Sequence, residues 1–159
     1  MLVENTVYLG IGSNVNKQQN IQSCIDYLQA SFKYCIISPT YQSPAFGFAG
    51  NDFYNLAIKI KTHFDLHALK EWLMRLEDLH KRDRSQPRYS NRTLDIDILL
   101  FNNLIFQDDY ITIPRPEIIT QAYVLKPLLD ISATIKHPQS HKDLLEYWQS
   151  LQHKQVWRV

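Results

Sequence analysis

The sequence predicts an α+β fold, an antiparallel β-sheet covered by helices, and three observations support that prediction. Leu56, Ile58 and Ile60 alternate with Ala57, Lys59 and Lys61, as in a half-buried strand. Apolar residues recur at helical spacing in two other segments. The segments follow one another as strand, helix, strand, strand, helix, strand. This βαββαβ order is typical of ferredoxin-like folds, so we expect that arrangement with additional short C-terminal elements.

The predicted strands are rich in β-branched, aromatic and other apolar residues and are bounded by residues that break regular structure. They are Thr6 to Ile11, which Gly12-Ser13-Asn14 ends, Tyr34 to Ser38, Leu56 to Ile60 and Leu94 to Phe101.

Two amphipathic helices are predicted between these strands. The first runs from Asn20 to about Phe32. The second begins after Asp65, whose side chain suits an N-cap. Its inner stripe consists of Leu66, Leu69, Leu73, Leu76 and His80.

The C-terminal third contains shorter elements. Thr112 to Pro116 is expected to be a loop broken by proline, and Glu117 to Gln121 a short helical turn. Ser140 to Asp143 resembles a capping box that opens a last helix, whose predicted inward residues are Leu144, Leu145, Trp148 and Leu151.

The composition is that of an ordinary globular protein. The chain has 159 residues, 45% of them apolar, and we expect residues 1–159 to form one domain. No apolar run approaches the ~20 residues of a membrane helix, and no signal-peptide pattern opens the chain. The two cysteines have no metal-ligand spacing, and the net charge is only +1. We therefore expect a cytoplasmic monomer that binds neither nucleic acid nor membranes.

Two carboxylates on one predicted strand are the sharpest local signal. Side chains of a strand alternate between its faces, so Asp95 and Asp97 share one face while Leu94, Ile96 and Ile98 share the other. Neighbouring anions repel each other, and a hard cation such as Mg²⁺ removes that repulsion. A solvated face whose acids pair with nearby arginines is the alternative interpretation of this pair.

A cationic loop precedes that strand. The segment Lys81 to Arg92 carries five cations and one acid. Arginines bind phosphate through paired hydrogen bonds, and a loop that is mobile without ligand could close them over a polyphosphate. A metal and arginines are the equipment of phosphoryl transfer. The loop and the acid pair together predict a magnesium-dependent phosphoryl-transfer enzyme.

Two other classes compete with that prediction. Nucleotidyltransferases of the polymerase-β type also combine a Gly-Ser turn with two acids on a strand, but there the two lie close together in the chain, whereas Ser13 and Asp95 lie far apart. An RNA-binding module on a ferredoxin-like fold would lack enzymatic activity. It would show an RNP-like aromatic motif, which is missing, and the acids would repel its phosphate backbone.

Several motifs, in order along nearly the whole chain, resemble the 6-hydroxymethyl-7,8-dihydropterin pyrophosphokinases of folate biosynthesis. They are YLGIGSN from Tyr8 to Asn14, YQSPAFG from Tyr41 to Gly47, FYN from Phe53 to Asn55, RTLDIDIL from Arg92 to Leu99 and VLKPL from Val124 to Leu128. The resemblance implies a ferredoxin-like fold and transfer of the β,γ-diphosphate of ATP to the hydroxymethyl oxygen of the dihydropterin, with release of AMP.

The resemblance also implies roles for individual residues on the nucleotide side. Asp95 and Asp97 would hold two Mg²⁺ ions, and Arg82 and Arg92 would act with them as catalytic residues. The residues implied to bind ATP are Glu77, Arg82, Arg92, Ile98, Thr112 and Arg115.

On the pterin side the resemblance implies aromatic walls and an amide that pairs with the ring edge. Asn55 offers both a donor and an acceptor for that purpose. The residues implied to bind the pterin are Ser43, Pro44, Phe46, Gly47, Phe53, Asn55, Tyr89, Asp95 and Tyr123.

The chain departs from the family pattern near the phosphates. Ser90-Asn91 stands where Gly-Pro is usual, and Tyr110, Arg115 and Gln121 stand where another basic residue, a histidine and an arginine are common. A diverged paralogue with a modified substrate therefore remains an alternative.

Overall fold

The computed structural model describes residues 2–159 and contains one main sheet of six strands. The strands of this sheet are β1 (Asn5–Ser13), β2 (Cys35–Ile37), β3 (Tyr41–Ser43), β4 (Phe53–Thr62), β5 (Asp95–Phe101) and β8 (Trp157–Arg158). The strand order is β5-β1-β4-β3-β8, with β2 also paired to β4, and every pairing is antiparallel. β1 is therefore an interior strand, with β5 on one side of it and β4 on the other.

The helices cover both faces of this sheet. They are α1 (Lys17–Ser31), α2 (Leu66–Leu79), α3 (Ala122–Ser132) and α4 (Leu144–Leu151), with a short 3₁₀ helix at Pro116–Ile119. A separate two-stranded hairpin, β6 (Phe106–Gln107) and β7 (Thr112–Ile113), lies near the end of β5. The predicted antiparallel sheet covered by helices is confirmed, although the prediction did not include α3, β3 or β8.

One hydrophobic core lies between the sheet and the first two helices. The predicted stripe of α2 is buried in it, and Asp65 caps the helix by accepting a hydrogen bond from the Ala68 amide at 2.8 Å. His80 is buried as a satisfied polar residue, because its ring nitrogens lie 2.8 Å from Leu76 O and 2.8 Å from Ser23 Oγ.

A second core lies on the opposite face, where α3 and α4 pack on β1, β4 and β5 residues such as Tyr8, Ala57 and Leu99. α3 contains Pro127, a residue that normally argues against a helix interior, and this explains why periodicity alone did not predict it.

The predicted capping box is wrong, and Leu145, which was predicted to face inward, is 56% exposed. The last helix begins at Leu144 after Asp143, which makes no side-chain cap, while Ser140 Oγ accepts a hydrogen bond from the Tyr147 hydroxyl at 2.6 Å. Within the described part of the chain, no helix has both the length and the hydropathy that crossing a bilayer requires. Both cysteines are free thiols.

Candidate active site

A cavity of about 370 Å³ opens where β5, β1 and β4 meet the loop between α2 and β5. Asp95 lies opposite Gly12 and Asp97 opposite Gly10 in the β1–β5 register. A Cβ on Gly12 would come within 3.1 Å of the Asn55 side chain, so the missing side chain leaves room beside the acids. Glycines on the neighbouring strand therefore keep the cavity floor open.

The predicted alternation on β5 is confirmed. Leu94, Ile96 and Ile98 are at most 4% exposed, whereas the side chains of Asp95 and Asp97 are 37% and 30% exposed and line the cavity. Burial and the neighbouring Asp95 raise the pKa of Asp97 to about 7. The folded protein thus holds two carboxylates that resist carrying charge together, which is the electrostatic condition for binding a cation.

Each acid also contacts one arginine. Arg82 Nη1 lies 3.0 Å from Asp95 Oδ1, and Arg115 Nη2 lies at the longer distance of 3.7 Å from Asp97 Oδ1. The alternative interpretation, acids paired with arginines, therefore describes part of the geometry. It does not neutralise the pair, because the pKa of Asp97 stays raised despite Arg115.

Glu77 connects α2 to this strand. Its side chain is only 4% exposed and accepts hydrogen bonds from the Ile96 amide at 2.9 Å and from Arg82 Nη1 at 3.0 Å. Arg84 Nη2 approaches its other oxygen at 3.3 Å. Burial raises the pKa of Glu77, and these donors compensate for its desolvation. Because Ile96 lies between the two acids, Glu77 also fixes the backbone that carries them.

The cationic loop is attached to the protein at both ends. Arg84 Nη2 lies 2.9 Å from Asp78 Oδ1, and Arg88 Nη2 lies 3.5 Å from Glu117 Oε1. At the far end, the Arg92 amide donates to Asn14 Oδ1 at 2.7 Å, while Asn14 Nδ2 donates to Asn91 at 2.9 Å. Asn14 belongs to the turn after β1, so that turn anchors the loop beside the acids.

Aromatic and amide groups line the other end of the cavity. The rings of Phe46 and Tyr89 pack edge to face with centroids 5.4 Å apart. Gly47 has a φ of 81°, and a Cβ there would lie 2.8 Å from the Tyr89 ring. Asn55 Nδ2 donates to Ser43 Oγ at 2.8 Å, which fixes the amide at the cavity wall.

The structure brings most of the expected site residues into this one cavity. Those that line it are Ser43, Pro44, Phe46, Phe53, Asn55, Glu77, Arg82, Tyr89, Arg92, Asp95, Asp97, Arg115 and Tyr123. Gly47 contacts the lining through Tyr89, Thr112 lies on β7, and Ile98 is buried in the core. A direct contact of Ile98 or Thr112 with a nucleoside stays a prediction.

Sequence reasoning did not single out several further residues at this site, among them Asn14, Lys70, Arg88 and Glu117. Asn14 and Arg88 lie inside segments that the sequence did mark, so their position was the available signal. Lys70 and Glu117 carried no such signal, because only the packing of α2 and of the 3₁₀ helix directs them to the cavity.

The donor set fits a magnesium ion better than a metal held entirely by protein. Among the described residues no group of three or more His, Cys, Asp and Glu side chains forms a metal site. Mg²⁺ commonly takes one or two carboxylates together with water and substrate phosphates, and two carboxylates beside a cluster of arginines match that requirement.

The sheet carries two acids on one face of β5, and a cationic loop adjoins them at a cavity of small-molecule size. This combination is typical of enzymes that transfer phosphate groups. The family model described as 7,8-dihydro-6-hydroxymethylpterin-pyrophosphokinase matches residues 8–133. The chain belongs to this family, whose members are ATP-dependent diphosphotransferases.

Relatives of known name agree with that assignment. The chain is 32% identical to the 2-amino-4-hydroxy-6-hydroxymethyldihydropteridine pyrophosphokinase of Aquifex aeolicus, over 89% of each chain. It is 34% identical to the enzyme of the same name from Helicobacter pylori, over 78% of this chain and 79% of that one. It is 36% identical to the folic acid synthesis protein FOL1 of Dictyostelium discoideum over 86% of this chain, but it spans only 21% of that longer protein.

A solved structure supports the fold. The chain resembles a crystal structure of HPPK-DHPS in complex with substrates, with a TM-score of 0.72 at 15% identity. The match covers 93% of this chain and 43% of the other.

Proposed function

We propose that this chain transfers the β,γ-diphosphate of ATP to the 6-hydroxymethyl group of 6-hydroxymethyl-7,8-dihydropterin, a step of folate biosynthesis. In this reaction the hydroxymethyl oxygen forms a bond to the β-phosphorus, and the bond from that phosphorus to the α-phosphate oxygen breaks. AMP leaves, and the hydroxyl proton passes to solvent. The products are AMP and the pterin diphosphate.

One observation carries the proposal: Asp95 and Asp97 face the same cavity as the arginines of the loop and the aromatic wall. That combination provides separate places for a charged polyphosphate and a flat ring with polar edges. The names of the relatives that match most of the chain support the same chemistry. We further propose that the βαββαβ core is ferredoxin-like and that residues 1–159 form one domain.

Asp95 and Asp97 would hold magnesium, which we propose to be two ions that neutralise the triphosphate and the developing charge on the β-phosphate. The rest of the work falls to protein side chains. Arg82 and Arg92 would exchange their present protein partners for phosphate oxygens and so stabilise the transferring group. Glu77 would keep the strand between the acids in place.

The pterin would occupy the aromatic end. Asn55 would pair with the polar ring edge, since Ser43 already fixes its amide orientation at 2.8 Å. Phe53 and Tyr123 would flank the ring, and Tyr89 would cover it from the loop. Asp95 would lie nearest to the attacking hydroxyl.

The decisive experiment is incubation of the purified protein with ATP, Mg²⁺ and 6-hydroxymethyl-7,8-dihydropterin, followed by identification of the products. We expect AMP and pterin diphosphate in equal amounts, and no turnover when EDTA removes the metal. A nucleotidyltransferase would instead release diphosphate and attach a nucleotide to the acceptor. ATP binding without AMP formation would favour the diverged paralogue, and magnesium-independent RNA binding without turnover would favour the RNA module.

A further inference from the structure

The cations of the cavity differ in whether the protein already provides them with a partner. Five are arginines with partners: Arg82, Arg84, Arg88 and Arg115 each contact a carboxylate, and Arg92 donates to loop carbonyls. The sixth is Lys70, which is half-buried. Across residues 2–159 no hydrogen-bond acceptor or ion-pair partner accompanies its ammonium group.

Lys70 and Glu77 lie on the same side of α2. They are seven residues apart, which is about two helical turns and roughly 10 Å along the axis. Both line the cavity. The helix therefore presents an acid that is fully hydrogen-bonded and, two turns earlier, a cation that is not.

Two contacts show which end of the cavity Lys70 occupies. Near the end of α2, Glu77 accepts from the Ile96 amide, beside Asp95. His67 lies in the first turn of α2, and its Nε2 is 2.9 Å from Asp108 Oδ2. Asp108 belongs to the connection between β6 and β7. Lys70 follows one turn after His67. It thus lies between that hairpin and the acid pair, at the opposite end of the helix from Glu77 and Asp95.

The β6–β7 hairpin contacts β5, whereas the aromatic wall adjoins β3 and β4 on the other side of β1. Tyr110, the 82% exposed residue of the same hairpin connection, lines the cavity together with Lys70 and Leu99. An ammonium group without a protein partner among residues 2–159 can bind an anion from the ligand, whereas each of the five arginines must first release a protein partner.

We propose that Lys70 binds the α-phosphate of the nucleotide, the phosphate that stays with the nucleoside in AMP. The inference rests on the proposed function, in which the β- and γ-phosphates meet the acid pair and the loop arginines. With the pterin at the aromatic end, the nucleoside extends towards the hairpin. The α-phosphate then passes Lys70, which is the only cavity cation without a protein partner among the described residues.

The test measures nucleotide binding directly. Lys70→Met removes the charge and keeps the apolar stem, and Lys70→Arg keeps the charge. Lys33→Met is the matched control, since Lys33 is exposed and follows α1. Titration calorimetry with Mg²⁺ and α,β-methylene-ATP, and separately with AMP, gives each Kd. We expect Lys70→Met to raise both by about tenfold, Lys70→Arg to restore most of the loss, and Lys33→Met to change neither.

The outcomes separate this inference from the function on which it rests. If the wild-type protein binds the analogue and forms AMP while Lys70→Met binds both nucleotides within twofold of wild type, Lys70 is not a nucleotide ligand. If the analogue is weakened and AMP is not, Lys70 contacts another phosphate and the placement is wrong. An equal loss of pterin affinity, or a lower Tm, would make its role structural. A wild-type protein that binds no nucleotide overturns the proposed function itself.

Discussion

The two sides of the phosphate site are held in different ways. Asp95 and Asp97 lie on β5. Its register is set by main-chain pairing to β1 and by the hydrogen bond that the Ile96 amide donates to Glu77. The cations opposite them lie mostly on a loop whose arginines form side-chain ion pairs, while Asn14 anchors its far end at Arg92. Main-chain pairing cannot be exchanged for a ligand, whereas an arginine can release a carboxylate and bind a phosphate. Folding thus positions the acids, and we expect ligand binding to reposition the arginines.

The largest expected effect comes from the side that folding positions. Asp97→Asn should abolish turnover and leave the fold intact, because it removes a proposed metal ligand at constant volume. Circular dichroism would check the fold, and AMP production would check the activity. Activity near the wild-type level would contradict the assignment of the acid pair.

In the absence of metal, the same variant should be more stable than the wild-type protein. The pKa of Asp97 is raised from 3.8 to about 7 in the folded state, so folding favours its protonated form. The unfolded chain releases that proton first, and the free energy of unfolding falls as pH rises through this interval. In EDTA, Asp97→Asn should therefore have a higher Tm than wild type at alkaline pH, with the difference vanishing below pH 3.8. Equal Tm values at alkaline pH would show that the ionised carboxylate of Asp97 does not destabilise the folded protein.

Two loop arginines should separate catalysis from stability. Arg82→Ala and Arg92→Ala should each lower kcat by about 100-fold while weakening pterin binding much less, since both are proposed to act on the transferring phosphates. Only Arg82→Ala should also cost about 2–3 kcal/mol of stability, because it removes a donor from the buried Glu77. Assays of AMP formation measure kcat, and urea denaturation measures the free energy of unfolding. An unchanged kcat in both variants would remove the arginines from the mechanism.

A smaller effect is expected where the loop meets the aromatic wall. In Gly47→Ala the new methyl group would lie 2.8 Å from the Tyr89 ring, on a backbone with a φ of 81°. The pterin KM should rise by about fivefold, equivalent to roughly 1 kcal/mol, because Tyr89 must shift. A comparison in the Tyr89→Ala background is the control, because Gly47→Ala should raise the pterin KM little further once the Tyr89 ring is absent. If the single variant keeps the wild-type KM, Tyr89 does not cover the pterin.

The smallest effect concerns the outer contact of the loop. Arg88 pairs with Glu117 at 3.5 Å, but its side chain is 74% exposed, so the pair should contribute only about 0–1 kcal/mol. Arg88→Gln should change kcat by no more than about twofold if this ion pair is its main contribution.

Hydrogen exchange should show loop amides 81–92 exchanging faster than those of β5, and slower once the ATP analogue and Mg²⁺ are bound. Equal protection of both regions without ligand would contradict the expectation of a mobile loop.

The local sequence determined the features that depend on neighbours along the chain. Alternation on a strand placed Asp95 and Asp97 on one face, and helical periodicity with Asp65 as cap defined α2. Both follow from fixed side-chain directions in regular structure, so no distant contact was needed. The capping box at Ser140 failed for the opposite reason, because Tyr147 provides that hydroxyl with another partner.

Only the tertiary structure decided which groups meet across long separations. Pro127 lies inside α3 because packing against the second face of the sheet compensates for the lost hydrogen bond. Arg82 and Arg84 meet on Glu77, whereas Lys70, on the helix of Glu77, has no partner among residues 2–159. Ion pairing depends on side-chain positions that the whole fold sets, and no spacing in the chain specifies them. The sequence by itself determined an acid pair beside a cationic loop, and the fold decided which cation remains available for the substrate.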